Sequence, residues 1–364
     1  MRSKAIVIAL ALFLVGAFTV VTADEAVLID FSLLKADIVA DPINQGKFLE
    51  NGATMMDFSG TAGASYTDEQ KKQMHTSLAI RNWDVLLASS ARTNMNQALS
   101  MTAEVTVASD AKQFAGKPVM GFRIRFPVAD YNSWARLKPP FEIPAFEPKA
   151  SVDAQGNITP AAAGAQGSDP ANARLSRFEG SYDPNTKITT ALGIVKNVGV
   201  IKSLAATVKG LNFPHGLSVV LVDADGNEQT IFLGYLNFDG WRTIQWDNPA
   251  YVQDVRNREL RVFPLYPKST PMVKFGGFII TRDAANDGGD FVAYVKDVKI
   301  LYDKAVLDTG RDIDDESIWG IVGKKEAERK NIESTRFGSQ QVLRYLEKMK
   351  QESKSSFTPA PAGK

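Results

Sequence analysis

The strongest constraint on this chain is an alternation of apolar and polar residues with period two, repeated in short runs along most of its length. Met101, Ala103, Val105 and Val107 alternate with Thr102, Glu104 and Thr106, and Phe122, Ile124 and Phe126 alternate with Arg123 and Arg125. Successive strand residues point to opposite faces, so these runs describe strands with one buried side. Further on, Val292, Tyr294, Val298, Ile300 and Tyr302 fall on one face of an expected strand. Residues 217–222 are apolar on both faces and read as a central strand. Asp225-Gly226, Asp239-Gly240, Gly276-Gly277 and Gly288-Gly289 punctuate the runs as turns. No rhythm of strand and long helix is present, which disfavours Rossmann and barrel enzymes. The expected fold is mainly β, an antiparallel β-sandwich of jelly-roll or galactose-binding-like type with a C-terminal helical extension.

Chemistry narrows the function classes. The chain contains no Cys, which removes disulfides, thiolate metal sites, Cys nucleophiles and a lipid-anchored N-terminal Cys. His75 and His215 are the only histidines, too few for His-based zinc or triad chemistry. Arg2 and Lys4 precede an apolar run over 5–21, and Val21-Thr22-Ala23 then offers a small-residue exit before Asp24-Glu25. That order describes a secretory signal at 1–23; an uncleaved anchor is the alternative, because the apolar run approaches the length of a membrane span. No later segment approaches that length, so no stable membrane insertion is expected after cleavage. The whole chain has 42 Lys+Arg against 41 Asp+Glu, and cleavage removes Arg2 and Lys4, leaving 40 against 41. Phosphate binding wants a clear basic excess, so nucleic acid is excluded as the main partner.

The mature chain divides into an expected sandwich at 24–305 and a helical extension at 306–364. Pro139, Pro140, Pro144 and Pro148 stiffen an extended stretch, because proline fixes φ and removes a ladder donor. Residues 149–174 carry no aromatic residue and only Val152 and Ile158 as larger aliphatics, so a mobile surface loop is expected there. Beyond Tyr302, Asp314 or Asp315 can cap a helix bearing Ile318, Trp319, Ile321 and Val322, and Val342, Leu346 and Met349 form a second apolar stripe. Helices of this length are marginal alone, so the stripe must dock on its own sandwich or on a partner. The Pro/Ala-rich residues 355–364 are expected to be disordered.

Three groups of residues invite a site. Asp223, Asp225, Asn227 and Glu228 resemble the start of a calcium loop, but no Glu stands at the twelfth position and Asp-Gly is the ordinary hairpin signal. Asp283, Asp287 and Asp290 surround Gly288-Gly289, either as a solvated turn or as a carboxylate set for calcium or acid/base chemistry. Tyr235, Phe238, Trp241 and Trp246 make an aromatic-rich strand pair, fit for the core or for stacking on sugar rings. Trp241 and Trp246 face opposite sides at period two, so one of them needs a loop, the tail or a partner to cover it. Asn157-Ile158-Thr159 matches a glycosylation triplet, which by itself is uninformative. No catalytic, cofactor-binding or metal-ligating residue is assigned, and no cofactor.

From Asn197 to Ala305 the residues carry a family resemblance. NVGVIKSLAATVKGLN, LSVVLVDADGNEQTIFLGYLNFDGWRTIQWDNP, RVFPLYPKSTP and GGDFVAYVKDVKILYDKA, in this order and spacing, resemble the spirochaetal flagellar filament outer-layer (sheath) protein family. The signal, the lack of Cys and the early VLIDFSLLKAD agree; the loop at 149–174 and the Pro/Ala end depart from the pattern. The resemblance implies a periplasmic coat subunit, exported by the general secretory route, that surrounds core flagellins and packs against copies of itself. It brings no catalytic residues. A periplasmic carbohydrate-binding β-sandwich is the alternative, and a hydrolase built on Asp283, Asp287 and Asp290 ranks last.

Overall fold

The computed structural model describes residues 23–34, 80–139, 181–186, 188–190, 192–259, 262–264 and 271–308, with short pieces at 38–40, 48–50, 67, 151–152, 158–159 and between 312 and 349. In chain order the strands are β1 (Asp24–Asp30), β2 (Ile38–Ala40), β3 (Phe48–Glu50), β4 (Asp84–Leu87), β5 (Met101–Thr106), β6 (Pro118–Phe126) and β7 (Ser133–Lys138). There follow β8 (Ser151–Val152), β9 (Ile158–Thr159), β10 (Ser181–Asp183), β11 (Ile188–Thr190), β12 (Ile194–Lys196), β13 (Val198–Leu211) and β14 (Gly216–Asp223). The last six are β15 (Glu228–Tyr235), β16 (Asp239–Asp247), β17 (Val262–Pro264), β18 (Met272–Arg282), β19 (Gly289–Lys304) and β20 (Val306–Asp308). Short helices are α1 (Asn94–Leu99), α2 (Tyr251–Glu259) and α3 (Asp315–Trp319).

Two sheets dominate. The larger runs β10-β11-β1-β19-β13-β16, with β6 added to β19 and β5 to β6; the smaller runs β15-β14-β18-β7-β4, with β12 on β18. Pairing is antiparallel apart from β1 with β11 and, in a small separate sheet, β17 with β20. The expected mainly antiparallel sandwich is therefore the observed one. Residues 217–222 form the body of β14, buried on both faces between β15 and β18, as a central strand requires. In the 149–174 stretch only the four residues of β8 and β9 are described, and they pair as a two-stranded ladder.

β19 is the spine of the larger sheet. One edge carries β13 along nearly its whole length; the other carries β6 over 289–295 and β1 over 297–302. Its apolar residues do not share one face, which corrects the sequence expectation. Phe291, Ala293 and Val295 point into the core, then Val298, Ile300 and Tyr302 do, while Val292 and Tyr294 lie half-buried on the outer side. The register jumps from Thr207 opposite Asp297 to Val208 opposite Val295, leaving Lys296 as the extra residue of a β-bulge. A bulge shifts the period-two phase by one, so the same strand presents odd positions before it and even positions after it. β5 differs too. Its buried residue is Thr102, whose hydroxyl donates to the Ile80 carbonyl at 2.6 Å, while Met101 is exposed on the outer side.

The two sheets are joined by a cluster of rings. Phe31 follows β1 in a 3₁₀ turn that Asp30 caps by accepting from the Ser32 amide at 2.9 Å. The Phe31 ring lies 5.6 Å from Trp83, 6.2 Å from Phe275 and 5.9 Å from Phe278, and Phe275 and Phe278 are 5.0 Å apart. All four side chains are buried, and they bring together a turn of the larger sheet with β18 and the approach to β4 in the smaller. Gly277, at φ +118°, lets β18 pass β7 closely: a Cβ there would fall 2.0 Å from the Leu137 carbonyl oxygen.

This cluster sets the stability expected of the core. Phe31→Ala or Trp83→Ala should cost about 3–5 kcal/mol through lost burial and an unfilled cavity. The melting temperature, followed by circular dichroism, should then fall by roughly 10 °C. A Phe31→Ala protein that melts with the parent would contradict the inter-sheet role.

Candidate functional site

One end of the sandwich gathers the connections 127–132, 212–215, 236–238 and 283–288. Their positions follow from the ladders: β7 begins, β14 begins, β15 ends and β18 ends there, with Trp134, Thr281, Gly216 and Tyr235 in one cross-strand row. Directly paired residues point to the same face, and this row lies on the outer face of the smaller sheet. Trp134 and Tyr235 are each nearly half exposed. Three inter-strand steps separate them, about 14 Å. The floor between is low because Gly216 has no side chain. Phe232 lies over it: a Cβ on Gly216 would stand 2.8 Å from the Phe232 ring.

Phe232 and Tyr235 share this face because of a second bulge. Ser218 pairs with Phe232 and Leu217 with Gly234, so Leu233 is the extra residue and Gly234 takes φ +148°. The two rings then meet edge to face at 5.3 Å. The Tyr235 hydroxyl donates to the Asp283 carboxylate at 3.3 Å, and that charge raises the phenol above its ordinary pKa. Tyr131 and Val128 add exposed apolar surface in the adjoining loop. Deeper along the sheet, Arg136 crosses the Gly276-Gly277 kink and meets Glu228 with two contacts of 2.8 Å.

Arg282 makes this end rigid. Its guanidinium is buried and donates to the carbonyls of Ala129 at 3.0 Å, Tyr131 at 3.3 Å, Asn286 at 2.6 Å and Asp287 at 3.3 Å. One side chain thus ties two loops whose carbonyls strand pairing leaves open. Asn286 adds a bond to the Pro214 carbonyl at 2.7 Å, and Asn132 accepts from the Ala284 amide at 2.8 Å. Beneath lies His215, buried and stacked on Phe291 at 4.4 Å, with Phe126 at 5.1 Å and Phe213 at 6.0 Å. Neither ring nitrogen meets a hydrogen-bond partner among the described residues. Burial foremost, then the Arg282 charge, lowers its pKa to about 4, against a smaller opposing effect of Asp283.

The residues singled out in the sequence are therefore dispersed among structural roles. Asp290 sits between Arg123 and Arg125, at 3.0 Å and 2.7 Å, on the outer face of the larger sheet. Asp283 serves Tyr235, and Asp287 contributes a carbonyl to Arg282, so the three carboxylates do not form one constellation. The 223–228 segment is the β14–β15 hairpin turn: both Asp223 carboxylate oxygens accept from Asn227, and Gly226 takes φ +87°. Trp246 packs partly against the core from its inward face, and Trp241 lies on the outer face with Phe114 edge-on at 5.0 Å. A loop thus covers the outward tryptophan. His75 lies outside the described residues. The exposed row itself escaped the sequence reading, although Trp134 stands in the polar phase of Ser-Trp-Ala-Arg-Leu and Phe-Leu-Gly-Tyr breaks period two.

Known proteins match this chain over most of its length. The model of the family "Flagellar filament outer layer protein Flaa" matches residues 47–311. A flagellar filament outer layer protein of Treponema pallidum (strain Nichols) is 49% identical over 357 residues, covering 98% of this chain and 97% of the relative. The chain belongs to the flagellar filament outer layer protein family. A second family member, from Spirochaeta aurantia, is 42% identical over 345 residues, with 95% of this chain and 91% of the relative covered. Among solved structures, TmCBM61 in complex with beta-1,4-galactotriose aligns with 61% of this chain and 88% of its own at 10% identity, with a TM-score of 0.25, which carries no argument beyond the similarity itself.

His215 gives this outer layer family member a measurable pH signature. At His215 the unfolded chain takes up a proton near pH 6.5 and the folded chain only near pH 4, so the stability this residue contributes is lost as pH falls through that window and is fully present above it. His215→Phe keeps the ring stack and removes the titration. The variant should therefore gain on the parent by on the order of 5 °C in melting temperature at pH 4.5, relative to pH 7.5. Equal pH dependence in the two proteins would refute the buried neutral imidazole.

Proposed function

We propose that the chain is a structural, non-catalytic subunit of the outer layer of the periplasmic flagellar filament, surrounding core flagellins and contributing to filament shape, stiffness and motility. The observation that carries this reading is the 49% identity to a flagellar filament outer layer protein across nearly the full length of both chains. The physical arrangement agrees with it. Of the carboxylates offered for a hydrolase, Asp290 is held in an ion pair with Arg123 and Arg125, and Asp283 accepts from Tyr235. The near-zero net charge, 42 Lys+Arg against 41 Asp+Glu, permits dense lateral association. Export follows from the 1–23 segment, with the mature protein free in the periplasm until it assembles on the filament. No helix among the described residues is long and apolar enough to cross a membrane.

Its partners are then the core flagellins and further copies of the chain, joined by heterologous contacts as a helical layer requires. The carbohydrate-binding alternative relied on Trp241 and Trp246; Phe114 engages the first and the core engages the second.

Electron microscopy of purified filaments tests the proposal. Filaments lacking this chain should be thinner by a few nanometres, about twice the roughly 2 nm of a two-sheet layer with its outer side chains. The protein released from parent filaments should begin at or near Asp24. An unchanged diameter, with the protein absent from filaments, would defeat the coat reading, and retention on a glycan column would then favour the alternative.

A further inference from the structure

We infer that the exposed aromatic row at the Trp134–Tyr235 end is the docking surface for the C-terminal helical segment of a second copy, so that copies join head to tail. The inference rests on the coat reading and specifies its self-contact.

Two apolar surfaces are exposed in one molecule. Val128, Tyr131, Trp134, Phe232 and Tyr235 are open at one end, at 75%, 37%, 45%, 45% and 47%. On the C-terminal segment, Ile318, Trp319 and Ile332 are open at 60%, 68% and 70%, whereas Val342 is buried. Had the segment folded back over the aromatic row of its own sandwich, both sets would be covered. Large apolar side chains left open in this way mark interaction sites.

The two surfaces also differ in charge. The four connections at the aromatic end hold no Lys or Arg, while Asp130, Asp283 and Asp287 in them, and Asp239 at the head of β16, are exposed; the exposed cations beside them are Arg92, in the 88–93 turn that meets Tyr131, and Arg242, over the Phe238 ring, so four acids stand against two bases. Arg282 is buried beneath them and His215 is held neutral, so neither offsets the acids at the surface. Residues 320–350 are the reverse. Lys324, Lys325, Arg329, Lys330, Arg336, Arg344, Lys348 and Lys350 stand against Glu326, Glu328, Glu333 and Glu347, eight against four. A basic segment with open apolar residues fits an acidic aromatic face.

β19 leaves the aromatic end at Gly289 and runs 16 residues to Lys304, so the C-terminal segment departs from the opposite end, about 50 Å away. A segment leaving one pole and a receptor surface at the other produce a heterologous contact that repeats without closing, which is how linear and helical arrays grow. Copies of one chain, rather than flagellin, are the occupant because both halves of the complementary pair are carried on the same molecule.

A charge exchange tests this with the full mature chain. The face variant carries Asp130→Lys, Asp283→Lys and Asp287→Lys; the tail variant carries Lys324→Glu, Lys325→Glu, Arg329→Glu and Lys330→Glu. All these residues are charged, and the three aspartates are exposed, so circular dichroism melts should remain close to the parent. In sedimentation velocity at low ionic strength, the parent should form concentration-dependent oligomers that dissolve with added salt. Each variant alone should associate at least tenfold more weakly, because like charges now meet in every contact. Their equimolar mixture should recover association, since each variant's tail complements the other's face. A monomeric parent, association of either variant at parental strength, or a mixture that stays monomeric overturns the inference. So does a tail variant whose melting temperature drops markedly, because the segment then packs on its own sandwich. Filament binding is read separately: variants that fail to self-associate yet coat filaments normally remove this contact and leave the coat reading standing, whereas a parent absent from filaments removes the coat reading itself.

Discussion

The whole architecture depends on β19 keeping one face dry along 16 residues while it pairs with three different strands. A strand of that length with a strict period of two would keep one parity facing inward. The bulge at Lys296 changes the parity at the point where the neighbouring strand changes from β6 to β1. Phe291, Ala293 and Val295 serve one half of the core and Val298, Ile300 and Tyr302 the other. Lys296 itself lies partly buried at this junction, near Asp30 and Asp297, with its ammonium 5.3 Å from the Phe114 ring. The covered tryptophan on the outer face, Trp241, belongs to the same neighbourhood through Phe114.

The aromatic end is the other consequence of how the sheets finish. Antiparallel strands must leave backbone carbonyls unpaired where they stop, and four connections stop together there. Arg282 satisfies four of those carbonyls from inside, so the loops need no basic residue at the surface to hold them. That frees the exterior to be acidic and aromatic. The stacked, neutral His215 completes the interior without adding a charge of its own. A rigid receptor surface follows from burial of one cation, and rigidity lowers the entropic cost of repeated docking.

Much of the fold was legible in the residues, and the failures have physical causes. The run 217–222, apolar on both faces apart from Ser218, announced a central strand because only a strand covered on both faces tolerates it. The opposite facing of Trp241 and Trp246 followed from period two. The parity change in β19 was not legible, since the bulge residue is a lysine and no glycine marks it. The Phe232–Tyr235 pairing was half visible: Gly234 between aromatics signals a bulge, but only the register shows which face results. Arg282 was invisible, because its partners are backbone carbonyls, two of them about 150 positions away in sequence. The acids at 283, 287 and 290 looked like a cluster because sequence proximity stands in poorly for direction on either side of a strand start.

The most direct measurement is an electron cryo-microscopy map of intact sheathed filaments at a resolution that separates strands. The account predicts two-sheet densities in the outer shell, each with its Trp134–Tyr235 end covered by a helical segment continuous with the neighbouring copy. A map in which that end faces open solvent, or meets the flagellin core instead of another copy, would contradict it.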